Sequence, residues 1–168
     1  MLLDHTIRKP PTTGTYVSHQ LLEQFTNGQR PLFVDLGDRL IVRTAQNITP
    51  DGKPLPEVSQ GDILGFELVA SCGTKCKGRH SYYPVKDWRS RRDWLERRAE
   101  AHGFRVCVVS VSARSQKIEK KGRPINLDRT HFSGVLEVTV AELFRGTLEQ
   151  GLSGPAKAFG RGLMRVGH

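Results

Sequence analysis

The sequence predicts an α+β fold in two units, residues 1–84 and 85–168. Three observations carry this. Short apolar and β-branched runs alternate with amphipathic helical stretches. The first half mixes strands with a helix, and the second half repeats the pattern loosely. A length of 168 residues suits one medium domain or two small ones.

In the first half, Leu2–Ile7 reads as a strand that Pro10-Pro11 breaks. Residues 16–26 read as a helix ending at Asn27-Gly28. Residues 31–36 and 39–43 flank Gly37-Asp38 and read as a β-hairpin. Residues 46–61 are rich in Pro, Gly, Asp and Asn and read as a loop before a strand at 62–69. In the second half, Asp87 is placed to cap a helix over 88–101 that Gly103 stops. Residues 104–111 read as a strand with a buried look, 117–123 as a charged turn and 132–138 as the next strand. Thr139 and Glu142 fit a capping box opening a helix to about Gln150. A glycine-rich loop and a strand at 163–166 complete the chain.

Charge separates the halves. The net charge is +9, and 17 of the 26 basic residues lie after Pro84, against nine acidic ones. This asymmetry points to a polyanion such as nucleic acid. No apolar run approaches membrane-spanning length, and the first residues lack a signal-peptide core. Three cysteines make no disulfide framework, which suggests a reducing, cytoplasmic setting without membrane contact.

On a helix over 16–25, Tyr16, His19 and Glu23 share one side, and Val17, Leu21, Leu22 and Phe25 the other. The apolar side is expected to seek the core, leaving Tyr16 and His19 outward or in a cleft. Such a histidine can act as a general acid or base. Spacing alone favours an ordinary exposed Tyr–His pair, and the functional reading gains weight only together with the tail.

Residues 151–162 hold four glycines together with Lys157 and Arg161. Bare backbone and cations suit a phosphate chain, and they equally suit a flexible loop. The spacing matches neither a P-loop nor a dinucleotide fingerprint.

Three basic segments stand out: Lys75, Lys77 and Arg79; Lys117, Lys120, Lys121 and Arg123, extended by Arg129; and Arg89, Arg91, Arg92, Arg97 and Arg98 around Trp88 and Trp94. The first two are expected to track RNA phosphates. The third reads as a solvated helix face with pairs such as Asp93–Arg97, its tryptophans in the core. Cys72, Cys76 and His80 lack the fourth ligand of a structural zinc, so no metal or other cofactor is expected. Cys107 reads as a buried small hydrophobe. His5, His102, His131 and His168 have no partner visible in sequence.

The tail resembles the C-terminal signature of the CasE family, the repeat-RNA endoribonucleases of type I-E CRISPR Cascade systems. The residues that carry this are Phe132–Val138, Gly154-Pro155-Ala156-Lys157 and Gly160-Arg161-Gly162-Leu163. Tyr16-x-x-His19 with Leu21, Leu22 and Phe25 resembles the same family. So does Gly65–Ala70 running into Thr74-Lys75 and Pro84-Val85.

The resemblance implies tandem ferredoxin-like (RRM-like) domains. It also implies metal-independent cleavage of CRISPR repeat hairpins by 2′-hydroxyl attack, with retention of the crRNA beside other Cascade subunits. It gives His19 the acid–base role and Tyr16 a supporting one, with Lys157 as candidate cation. Gly154, Gly160, Arg161 and Gly162 would hold RNA. A non-cleaving RNA-binding subunit of the same kind of complex is the alternative, since the first unit is short for the family.

Overall fold

The computed structural model describes residues 1–167; His168 lies outside them. The chain runs β1 (Leu3–Arg8), α1 (Thr15–Phe25), β2 (Leu32–Asp35), β3 (Arg39–Thr44) and β4 (Lys53–Pro54). It continues through β5 (Ile63–Ala70), β6 (Gly73–Cys76), β7 (Arg79–Tyr82), α2 (Trp88–Ala101) and β8 (Phe104–Lys120). It closes with β9 (Arg123–Val138), α3 (Ala141–Gln150), a 3₁₀ turn at Lys157–Phe159 and β10 (Met164–Gly167).

Two antiparallel four-stranded sheets form, in orders β2-β3-β1-β4 and β10-β5-β9-β8. Each has its first and third strands central, the ferredoxin-like arrangement. The second unit is a complete β-α-β-β-α-β run. Among the described residues the first unit has no helix between β3 and β4. The first unit thus lacks the second helix of the ferredoxin-like pattern. The expected division after Pro84 also shifts. β5 pairs with β9 and β10, so the change of sheet falls between Pro54 and Ile63.

The larger core lies under α2 and α3, where Trp94, Leu95, Phe104, Phe132, Leu136 and Phe144 are buried. The smaller holds Leu22 of α1 with Phe33, Leu40 and Val42. Val34 and Ile41 meet Val69 and Leu163 between the units. Arg43 of β3 spans that junction. It pairs with Asp4 at 2.6 Å and donates to the carbonyls of Leu148 and Met164.

Several expectations change. Asp87 does cap α2, accepting from the Ser90 N–H at 3.0 Å. α3 has no such cap: it begins after Val140, and the Gly103 carbonyl instead accepts from the Thr139 and Val140 N–H groups. The expected turn at 117–123 is the end of a long β8–β9 hairpin. Only Lys121-Gly122 turn, both at positive φ (49° and 73°), as a two-residue hairpin loop requires. β8 is an edge strand rather than a buried one, and a register shift between Val106 and Val108 leaves Cys107 exposed.

On α2, Arg91 is fully buried, not solvated. The helix-face pair that forms is Arg92–Glu96, Trp94 is buried and Trp88 is half exposed. α1 departs from expectation in part, although Leu22 packs inward as expected. Thr15, Ser18, His19 and Leu22 face inward, while Val17, Leu21 and Phe25 face out. No helix among the described residues is long and apolar enough to cross a membrane.

Candidate active site and nucleic-acid interface

α1 starts beside β2, where the Thr15 hydroxyl donates to the Asp35 carboxylate at 2.9 Å. One turn in, the Tyr16 and His19 rings lie 6.3 Å apart. His19 stacks on Phe33 (6.2 Å, 15°) and is only 6% exposed. Its Nε2 lies 3.2 Å from Glu23 Oε1, and its Nδ1 is enclosed without a partner. Buried ring nitrogens are usually paired, and His5 Nε2 and Trp94 Nε1 are likewise without partners. Tyr16 packs against Phe159 of the tail at 6.0 Å.

The tail therefore reaches the pair through Phe159, not through Lys157. Lys157 Nζ donates to the Gln150 carbonyl at 3.0 Å, at the C-terminal end of α3, and burial lowers its pKa. Arg161 is 2% exposed. Its donors go to Ser71, the Asp128 carbonyl, the Phe159 carbonyl and Gln116, and burial above all pushes its pKa down to about 10. Buried, with Nε, Nη1 and Nη2 each engaged inside the protein, Arg161 ties the tail to β9 and β8.

Gly160 and Gly162 are buried at positive φ (75° and 94°). A Cβ on Gly162 would lie 2.9 Å from the Leu152 carbonyl, and one on Gly160 3.1 Å from Phe33. These two glycines serve close backbone approach within the fold. Gly154 is exposed near Trp94.

Both expected basic segments lie on hairpins. Lys75, Lys77 and Arg79 are exposed on β6–β7, and Lys117, Lys120, Lys121 and Arg123 are exposed towards the tip of β8–β9. An apolar cluster of Ile118, Leu127 and Phe159 gathers Tyr16, Tyr82 and Ile125, which draws both hairpins to the start of α1. Lys120 stands over the Phe159 ring at 5.9 Å. Arg129 donates to the Asp35 carbonyl at 3.0 Å. On α2, Arg89, Arg92 and Arg97 are exposed, and Arg98 lies 3.9 Å over Trp94. Among the described residues no three His, Cys, Asp or Glu side chains converge on a common point.

A cavity of about 750 Å³ opens between residues 11–17, Asp35–Gly37 and the β8–β9 hairpin. Tyr16 lines one wall, and Arg114, Lys117 and Arg129 line another. Sequence reading set Glu23 beside His19 without giving it a role, and it missed Phe159 and Arg114. Only Glu23 carried a signal, its i, i+4 spacing from His19.

The family model for CRISPR associated proteins matches residues 16–167. The chain belongs to that family. The CRISPR-associated endoribonuclease Cse3 of Thermus thermophilus is 30% identical over 124 residues, 66% of this chain. The match spans 58% of that relative's length. A structure of Cse3 bound to a 19-nucleotide RNA superposes with a TM-score of 0.81 at 22% identity, covering all of both chains. Cas6e from Escherichia coli K-12 superposes with a TM-score of 0.76 at 23% identity, covering 99% and 98%. At these identities the two structures establish the tandem fold.

Proposed function

We propose that this protein is a metal-independent endoribonuclease. It binds the hairpin of a CRISPR repeat, cuts the precursor RNA at the hairpin's base and stays with the mature crRNA as a Cascade subunit. The observation that carries this is the convergence of two basic hairpins and the tail on Tyr16, one turn before His19. The relative named as an endoribonuclease and the RNA-bound fold relative support the substrate class. The likeness of the tail to the CasE family supports the place in Cascade.

The chemistry needs alignment, a proton carrier and positive charge. The 2′-hydroxyl upstream of the scissile bond attacks phosphorus; the O2′–P bond forms and the P–O5′ bond breaks. His19 takes the 2′ proton and returns one to the 5′ oxygen, so it ends as it began. The products are a 2′,3′-cyclic phosphate and a 5′-hydroxyl. Tyr16 donates a hydrogen bond to the phosphate. Arg114, Lys117 and Arg129 line the cavity beside Tyr16, and Lys117 takes the charge-stabilising role first expected of Lys157. Glu23 holds Nε2, so the enclosed Nδ1 must be uncovered for His19 to reach RNA.

A second reading, a non-cleaving RNA-binding subunit, is favoured by that same enclosure of His19. Incubating the protein with its cognate repeat RNA in EDTA separates the two. Cleavage to a 2′,3′-cyclic phosphate, blocked by a 2′-deoxy substitution at the attacking position, supports the nuclease. Tight binding without product between pH 6 and 9 selects the second reading.

A further inference from the structure

Arg114 and Arg129 are directly opposed on β8 and β9. Like charges so placed repel, and proteins usually avoid such pairs. Burial, above all, lowers the Arg129 pKa, and the Arg114 charge lowers it further. Arg129 is anchored on the Asp35 carbonyl. Arg114 and Lys117 are exposed and make no salt bridge among the described residues.

All three cations border the 750 Å³ cavity that also takes in Tyr16. The acidic groups there are Asp35 and Glu119. Asp35 is already engaged by Lys9 at 3.4 Å, by the Thr15 hydroxyl and by the Gly37 N–H. The cavity thus holds a fixed excess of positive charge beside a tyrosine that faces the proposed cleavage site. An anion placed there would relieve the repulsion and accept from both guanidinium groups.

We infer that this cavity is a phosphodiester-binding subsite, in which Arg114 and Arg129 grip the RNA phosphate next to the scissile one. The inference rests on the nuclease reading for the identity of the strand. The anion chemistry of the cavity stands apart from it. Gripping the neighbouring phosphate fixes the backbone on one side of the reacting bond, which is what in-line attack by the 2′-hydroxyl requires. Arg114 is accordingly a positioning residue, and Tyr16 is the point where the subsite and the reacting centre meet.

The test uses repeat RNA with a 2′-deoxy nucleotide at the attacking position, so that binding is read without cleavage. Parent protein, Arg114→Gln and, as a remote control, Arg92→Gln are compared across salt. Arg114→Gln should lower affinity about 10-fold and reduce the slope of log K against log salt by about 0.7, the share of one single-strand phosphate. Arg92→Gln should leave the slope unchanged. A methylphosphonate at one of the two phosphodiesters next to the scissile bond should weaken parent binding and leave Arg114→Gln unaffected. Equal sensitivity of parent and variant at both positions overturns the inference.

A melting experiment without RNA reads the cavity alone. Arg114→Gln should melt higher than the parent at low salt. Inorganic phosphate should raise the melting temperature of the parent and not of the variant. Identical phosphate responses overturn the subsite even if the protein cleaves RNA. A phosphate response confined to the parent, with no RNA cleavage, keeps the subsite and overturns the nuclease reading instead.

Discussion

His19 Nε2 lies 3.2 Å from Glu23 Oε1, one turn along α1, while His19 Nδ1 is enclosed with no partner. When the neutral ring donates from Nε2 to the carboxylate, its basic lone pair is left on Nδ1, facing no donor. In the proposed mechanism the same carboxylate would stabilise the imidazolium formed if His19 takes the 2′ proton. Glu23→Ala should therefore slow single-turnover cleavage roughly 10-fold and change RNA affinity less than about 2-fold. An unchanged rate would remove Glu23 from the proton path.

The second unit depends on a buried ion pair. Arg91 is 0% exposed, lies 2.6 Å from Asp128, and also donates to the Thr130 hydroxyl and the carbonyls of Pro84, Asp87 and Tyr83. Asp128 in turn accepts from the Cys72 N–H and the Thr130 hydroxyl. Arg91→Ala leaves a carboxylate buried and unpaired, and should cost about 3–5 kcal/mol in urea unfolding. A cost below about 1 kcal/mol would show the pair to be dispensable.

His102 joins α2, α3 and the tail. Its Nδ1 meets the Thr147 hydroxyl at 2.7 Å, and its Nε2 accepts from the Ser153 N–H at 3.3 Å. Burial first, then the Lys157 and Arg98 charges, hold its pKa below the ordinary histidine value. Just below that value the unfolded chain binds more protons than the folded one, so stability rises with pH there. On acidification from pH 7.5 to 5.5 the parent should lose melting temperature, and His102→Gln should lose less. Parallel curves would contradict this.

The tail's path is set by close backbone contact. Gly162→Ala places a Cβ within 2.9 Å of the Leu152 carbonyl at φ +94°. It should cost about 1–3 kcal/mol of stability, read by thermal melting. It should also slow cleavage by displacing Phe159 from Tyr16. A neutral substitution would show that the loop can relax.

Local signals made much of this fold legible. Asp87, Gly103 and the residues between them fixed α2, and Tyr16-x-x-His19 marked α1. The inward face of α1 was not legible, because it depends on Phe33 and Phe159, which arrive from β2 and from the far end of the chain. The β8–β9 hairpin was under-read because Lys117, Lys120 and Lys121 look like a turn. The alternation that puts Ile118 inside was the better signal, with Lys121-Gly122 as the two-residue loop. Arg91 and Arg161 looked like surface cations. Their burial follows from Asp128 and from carbonyl groups that only the folded chain brings within reach.

The central claim is that His19 carries the proton. The most direct test is single-turnover cleavage of the cognate repeat hairpin in EDTA by parent and His19→Ala, with binding to a 2′-deoxy repeat measured in parallel. The account predicts a loss of about 100-fold or more in rate with affinity held within about 2-fold. Cleavage by His19→Ala at the parent rate would contradict it.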